Sequence, residues 1–204
     1  MREGNSKQEL VRDWKWHAVE TRNREFDGVF YFGVRTTGIF CRPSCSSRRP
    51  KRQNVAFFVT PSEAENAGFR ACQRCKPKNE YHPGARATLI QKAFEILSSN
   101  KGEVPTIDEL SNRLDVSAGH LQKTFKSILG ISPKEVMDMY RIDEFKKNVR
   151  ESDVTTSLYE SGFGSSRSLY EKAGEKMGMT PAVYKKGGKG MKINYTIVDS
   201  PLNS

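Results

Sequence analysis

Four cysteines, all within the first 75 positions of a 204-residue chain, set the tightest limit on what this sequence can fold into. Cys41 and Cys45 form a C-x3-C pair, Cys72 and Cys75 a C-x2-C pair, and 26 residues lie between the pairs. Two short spacings across a longer loop suit a tetrahedral zinc site. The opening "MREGNSKQELVRDW" is charged and lacks the apolar stretch of a secretion signal. No apolar run approaches the roughly 20 residues of a membrane span. These features predict a cytoplasmic protein with no membrane partner. Disulfides are disfavoured there, so the thiols are better used on metal. The prediction is one Zn2+ held by Cys41, Cys45, Cys72 and Cys75, at about 2.3 Å from each sulfur. His17, His82 and His120 are scattered and read as surface or packing residues.

The formal net charge is +10 and the pI about 9.5, which points to a polyanionic partner, nucleic acid first. The charge is uneven. Residues 1–83 hold 16 Lys and Arg against 9 Asp and Glu, a balance of +7; residues 84–204 hold 18 against 15, or +3. Between Gly28 and Ser62 there is no acidic residue, while Arg35, Arg42, Arg48, Arg49, Lys51 and Arg52 are present. A solvated face usually mixes signs, so this stretch suits a surface that meets phosphate.

The periodicity changes along the chain. "KQELVRDWKWHAVETRN" reads as a helix that buries Leu10, Val11 and Trp14. "GVFYFGV" (28–34) and "NVAFFVT" (54–60) read as buried strands. Thr60, Pro61 and Glu63 spell a helix start with a capping box, and Gly68 a left-handed stop. Each cysteine pair falls on a turn beside these elements. "KPKNEYHPGAR" (76–86) is polar and contains two prolines, and beyond it "ATLIQKAFEILSS" places Leu89, Ala93, Phe94 and Leu97 on one helical face.

The second half repeats itself at an offset of 48 residues: Ser117 meets Ser165, Leu121 meets Leu169, Gly130 meets Gly178, and Pro133 meets Pro181. Each unit reads helix, tight turn, capped second helix, Gly, Pro, which is helix-turn-helix grammar. In the first, Thr106 and Glu109 form a capping box, Asp115 and Val116 lie in the turn and Ser117 caps; in the second, Gly162 and Gly164 turn and Ser165 caps. Between the units, Val136, Met139, Ile142, Phe145 and Val149 recur every three or four residues, giving a connecting helix of roughly 25–27 Å at 1.5 Å per residue. Successive major-groove segments on one DNA face lie about 34 Å apart, a loose match. Facing away from Leu121 and Phe125 are Gly119, Gln122 and Lys123; the second unit offers Ser166, Arg167, Tyr170 and Glu171. Gln suits adenine and Arg or Lys guanine, Glu171 suits a cytosine amino group or an ion pair, and Lys126 a phosphate.

A purely structural zinc knuckle explains the cysteines alone. Four thiolates around one dication nevertheless carry 2 − 4 = −2, an anionic centre inside an arginine-rich surface, and zinc keeps thiols in the nucleophilic thiolate form. "FGVRTTGIFCRPSCSSRRPKRQNVAFF…AGFRACQRCKP" is very similar to the N-terminal domain of the Ada adaptive-response family, and "SGFGSSRSLYEKAGEKMGMTP" resembles the AraC-type DNA-binding signature. The resemblance covers essentially the whole chain. It implies that Cys41 is both zinc ligand and methyl acceptor. The methyl would come from a methylphosphotriester in DNA, irreversibly and once per molecule. It further implies that Thr37, Arg48 and Arg70 contact the DNA backbone; Arg42 and Arg49 join them on charge grounds only. Larger Ada proteins carry a second, Pro-Cys-His-Arg nucleophile, and no cysteine follows Cys75 here.

The expected fold is therefore a small α+β zinc domain (1–80), a linker (81–86), an all-α bipartite AraC-type helix-turn-helix domain (87–188) and a tail (189–204) whose "INYTIVDSPLNS" resembles the entrance to such a second domain. The expected function is a single-turnover DNA methyltransferase that, once methylated, activates transcription, a monomer meeting double-stranded DNA and RNA polymerase. A plain AraC-type regulator with structural zinc, and an RNA-binding zinc protein, are the alternatives.

Overall fold

The computed structural model describes residue 7 and residues 9–79, 83–99 and 104–189. His82, the tail from 190 onward and most of the "SNKG" break lie outside them. The chain divides into two compact units, Met1–Arg141 and Ile142–Ser204.

The first unit opens on helical residues 9–12 and helix α1 (Trp14–Glu20), which bury Val11, Trp14, Ala18 and Val19. Four short strands follow: β1 (Tyr31–Val34), β2 (Ile39–Cys41), β3 (Val55–Phe58) and β4 (Arg70–Ala71), with helix α2 (Pro61–Asn66) between the last two. Their order in the sheet is β3-β1-β2-β4. β1 runs antiparallel to β2, with Phe32 opposite Cys41, and to β3, with Phe32 opposite Phe57; β2 and β4 are parallel, with Phe40 opposite Ala71. The strands expected at 28–34 and 54–60 are present but shorter. Strands β2 and β4, beside the cysteine turns, are not predicted from the sequence; at three and two residues they are too short to show alternation. Thr60 caps α2 as expected, but Glu63 closes the box on the backbone N–H of Val59 (2.9 Å), one residue earlier than the motif implies. Gly68 stops the helix at φ 86°.

Helix α3 (Ala85–Ser99) buries Leu89, Ala93, Phe94 and Leu97, the face the sequence indicates. It packs on both neighbours. Trp14 stacks on Phe94 (centroids 5.2 Å, 11° between planes) and meets Phe26 and Phe30, while Phe94 lies 6.2 Å from Phe125 of the first helix-turn-helix. One aromatic core thus runs from the sheet into the helices. This is why compactness breaks near residue 141 and not at 81–86, where composition alone places the linker.

The repeat is visible in the structure. Helices α4 (Ile107–Arg113) and α5 (Ala118–Leu129) in the first unit correspond to α7 (Val154–Glu160) and α8 (Ser166–Met177) in the second. Leu110, Leu121 and Phe125 are buried, as are Leu158, Leu169 and Ala173 at the equivalent positions. Ser117 and Ser165 each accept a backbone N–H as N-caps, and Gly130 and Gly178 each close a helix in the left-handed region. The turns differ: Asp115 takes φ 54° in the first, and in the second, one residue longer, Gly162 takes φ 75°. Helix α6 (Pro133–Asn148) is continuous; Val136 and Met139 belong to the first unit's core, Ile142 and Phe145 to the second's. Helix α9 (Pro181–Lys185) packs on α7 and α8. The reciprocal capping box of Thr106 and Glu109 is complete. Thr106→Ala should therefore lower stability by about 1 kcal/mol in denaturant unfolding, the usual worth of such a cap.

Candidate metal centre

Sheet pairing assembles the cysteines. Cys41 ends β2, and Cys72 follows β4, whose parallel register beside β2 is extended by the Cys72 N–H to Phe40 C=O bond (3.0 Å). A tight turn, Cys45 N–H to Arg42 C=O (3.1 Å), folds Cys45 back over Cys41. Lys76 N–H to Cys72 C=O (2.9 Å), with Lys76 at φ 44°, does the same for Cys75. The four Sγ atoms lie within 4.8 Å of one another, Cys45 to Cys72 at 4.0 Å, and all four residues are buried. A tetrahedron with bonds of roughly 2.3 Å has edges near 3.8 Å, so this donor set fits one Zn2+ with small inward shifts.

The sulfurs' own chemistry asks for a cation. Hydrogen bonds with Cys45 and Cys75, together with burial, push the Cys41 thiol far above its usual range. Hydrogen bonds from Cys41 and Cys75 pull Cys45 far below it. A hydrogen bond with Cys41 pulls Cys75 down, but one with Cys45 and burial outweigh it, so Cys75 is pushed up to about 12. One anion suppresses the next, and a dication is what allows four buried sulfurs to ionise together. Among the described residues this is the only such cluster, and neither His17 nor His120 joins it.

A cleft of about 480 Å³ opens beside the cluster. Cys41 and Cys72 border it; Cys45 and Cys75 do not. Thr36, Thr37, Arg48, Arg49 and Lys51 also line it. Thr37 sits in the β1–β2 turn, where its hydroxyl donates to the Val34 carbonyl (3.3 Å) and Gly38 takes φ 62°. The loop carrying Arg48 and Arg49 is braced by Arg22, which donates to the Ser47 carbonyl (3.2 Å), and by Arg74, which donates to that of Ser46 (3.4 Å). Neither brace stands out in the sequence, because each acts across more than 20 residues. Arg70 is exposed on β4 but is not among the cleft-lining residues. Arg42 departs from the charge-based expectation: it pairs with Asp27 (3.4 Å) with its side chain only 18% exposed. Asp27 sits one residue outside the acid-free window.

On the helices, Gly119, Gln122, Lys123, Ser166, Arg167, Tyr170 and Glu171 are all exposed. Arg167 and Glu171 pair with each other one turn apart (2.9 Å), and Lys126 lies 3.5 Å from Glu135.

Against known proteins, the family model described as "Metal binding domain of Ada" matches residues 14–78, and one described as "Helix-turn-helix domain" matches residues 110–187. A relative from Bacillus subtilis, the bifunctional transcriptional activator/DNA repair enzyme AdaA, is 33% identical over 89% of this chain and 86% of its own length. The chain belongs to the Ada family. Its Escherichia coli member, the bifunctional transcriptional activator/DNA repair enzyme Ada, is 38% identical over 95% of this chain, which spans only 54% of that longer relative. A solved structure of the E. coli Ada protein in complex with DNA is 38% identical, covers 66% of this chain and 95% of its own, and superposes with a TM-score of 0.32. The sheet around Cys41, Cys45, Cys72 and Cys75 is thus an Ada-type zinc domain, and the repeated helices are the helix-turn-helix part.

Proposed function

We propose that this chain repairs methylphosphotriesters in double-stranded DNA by taking the methyl group onto Cys41, and that the methylated protein activates transcription. The observation that carries this is the position of Cys41: a member of the buried four-sulfur cluster that also borders the cleft formed with Thr36, Thr37, Arg48, Arg49 and Lys51. Zinc, when bound, holds the sulfurs as thiolates at neutral pH. The Cys41 sulfur attacks the methyl carbon; the S–C bond forms, the C–O bond breaks, and its electron pair stays on the phosphate oxygen. The products are S-methylcysteine and an ordinary phosphodiester. The thioether formed is inert to water under ordinary conditions, so each molecule acts once. Thr37, Arg48 and Arg70 hold the backbone, while Gln122, Lys123, Ser166, Arg167 and Tyr170 face the grooves.

Charge supplies both selectivity and signal. A phosphodiester carries −1 and is repelled by a −2 cluster, whereas a methyl triester is neutral. At an effective dielectric near 20 and about 5 Å, one unit pair is worth roughly 3 kcal/mol before screening. Methylation of Cys41 leaves the cluster at −1, so affinity for intact promoter DNA rises by one or two decades. The protein does this in the cytoplasm as a monomer that also contacts RNA polymerase.

Mass analysis after incubation with methylated DNA tests the reading. One methyl on the peptide holding Cys41, and none on Cys41→Ser, is expected. Cys72 borders the same cleft; a methyl on its peptide would move the acceptor there. No methyl on any cysteine would leave a plain regulator with structural zinc.

A further inference from the structure

We propose that Asp27 sets the DNA selectivity of this site by cancelling the charge of Arg42, an inference that rests on the function proposed above. Asp27 lies outside the cysteine motif, just ahead of Gly28, and is 8% exposed. Its Oδ1 accepts the Ser44 backbone N–H (3.1 Å), its Oδ2 accepts the Ser44 hydroxyl (2.6 Å), and Arg42 Nη1 lies 3.4 Å from Oδ2. Both partners stand between Cys41 and Cys45. Arg42 is doubly tied to the cluster: it follows Cys41 in the chain, and its backbone N–H donates to the Cys75 sulfur.

A guanidinium held there has an electrostatic consequence. Unopposed, its +1 would reduce the cluster's −2 to an effective −1, the same change that methylating Cys41 makes. The unmodified protein would then grip undamaged DNA as though already switched on. The Asp27 carboxylate brings the Arg42–Asp27 sum to zero and restores −2. The ion pair is largely shielded, with side chains 18% and 9% exposed, so salt weakens it less than it would a surface pair. Asp27 therefore acts through Arg42 and Ser44 as a positioning and charge-setting residue; it does not touch the reacting atoms.

The test uses the full chain, zinc-loaded and unmethylated, binding an undamaged duplex over a series of salt concentrations, with zinc content measured for each variant. Asp27→Asn keeps the shape and one oxygen for the Ser44 backbone N–H, puts an amide NH2 against the Ser44 hydroxyl, which can accept from it, and removes the charge. It should bind roughly ten- to a hundredfold tighter at low salt, the range expected for methylation itself, the gain shrinking as salt rises. Adding Arg42→Gln to Asp27→Asn should return affinity to the wild-type value, and Arg42→Gln alone should weaken binding. Ser44→Ala, which loses a hydrogen bond but no charge, should leave affinity unchanged. A merely structural Asp27 gives the opposite sign, with weaker binding and lost zinc, and that result overturns the proposal. So does unchanged affinity in Asp27→Asn at full zinc content. These measurements involve no methyl transfer, so they fail independently of the Cys41 mass test.

Discussion

Stripping zinc from the reduced protein should unfold the sheet around residues 39–75 and abolish any methyl acceptance. Strand β2 has three residues and β4 two, and only two residue pairs join them. That is too little ladder to hold the 46–71 loop closed. Four buried sulfurs do the closing. Structural zinc contributes on the order of 10–16 kcal/mol of apparent binding free energy at neutral pH, as much as the roughly 5–15 kcal/mol that holds a whole domain folded. Circular dichroism and amide exchange with a strong chelator, then with zinc restored, check this. The expected result is loss of protection from Ile39 to Cys75 that zinc reverses. Cys45→Ala, which removes a ligand that does not border the cleft, should have the same effect. An unchanged melting profile after full chelation would mean that packing alone holds the knuckle.

Trp14→Ala should destabilise the first unit by about 3–5 kcal/mol, the usual cost of emptying a buried aromatic site. Trp14 is 8% exposed and touches Phe26, Phe30 and Phe94. It is the ring through which the sheet and helix α3 share a core. Its removal should do more than lower stability: unfolding of the unit, expected as one transition in the wild type, should split, because the sheet and the helices lose a common contact. The half-buried Trp16 serves as the control. The chain has two tryptophans, so Trp16→Phe leaves Trp14 as the sole indole reporter and should cost far less. Urea unfolding followed by fluorescence and by far-ultraviolet dichroism would show whether the two signals separate in Trp14→Ala. Coincident transitions at wild-type stability would contradict a shared aromatic core.

Much of the candidate site was legible in residue spacing. C-x3-C and C-x2-C named all four ligands, because ligand identity and short-range spacing are local properties of the chain. The helix-turn-helix repeat was legible for the same reason: caps at Ser117 and Ser165, stops at Gly130 and Gly178, and leucines at a fixed offset are each decided within a few residues. The Ada resemblance added the proposal that Cys41 is the methyl acceptor and that Thr37, Arg48 and Arg70 contact the DNA backbone.

Contacts between distant residues were not legible. Nothing local indicates that β2 and β4 lie parallel and carry Cys41 and Cys72 to one cleft, since strands of two and three residues have no measurable period. The braces from Arg22 and Arg74, and the Asp27 carboxylate beneath Arg42, likewise act across gaps that sequence windows do not span. Charge counting placed Arg42 with the phosphate-facing arginines; only packing shows it turned inward onto an acid. The sequence alone settled which atoms can bind metal and where the two helix-turn-helix units lie, because donor type, caps and periodicity belong to short segments. Tertiary structure alone decided which cysteines meet the cleft, which arginines are left to line it, and that sheet and helices share one core, because burial and charge pairing depend on residues far apart in the chain.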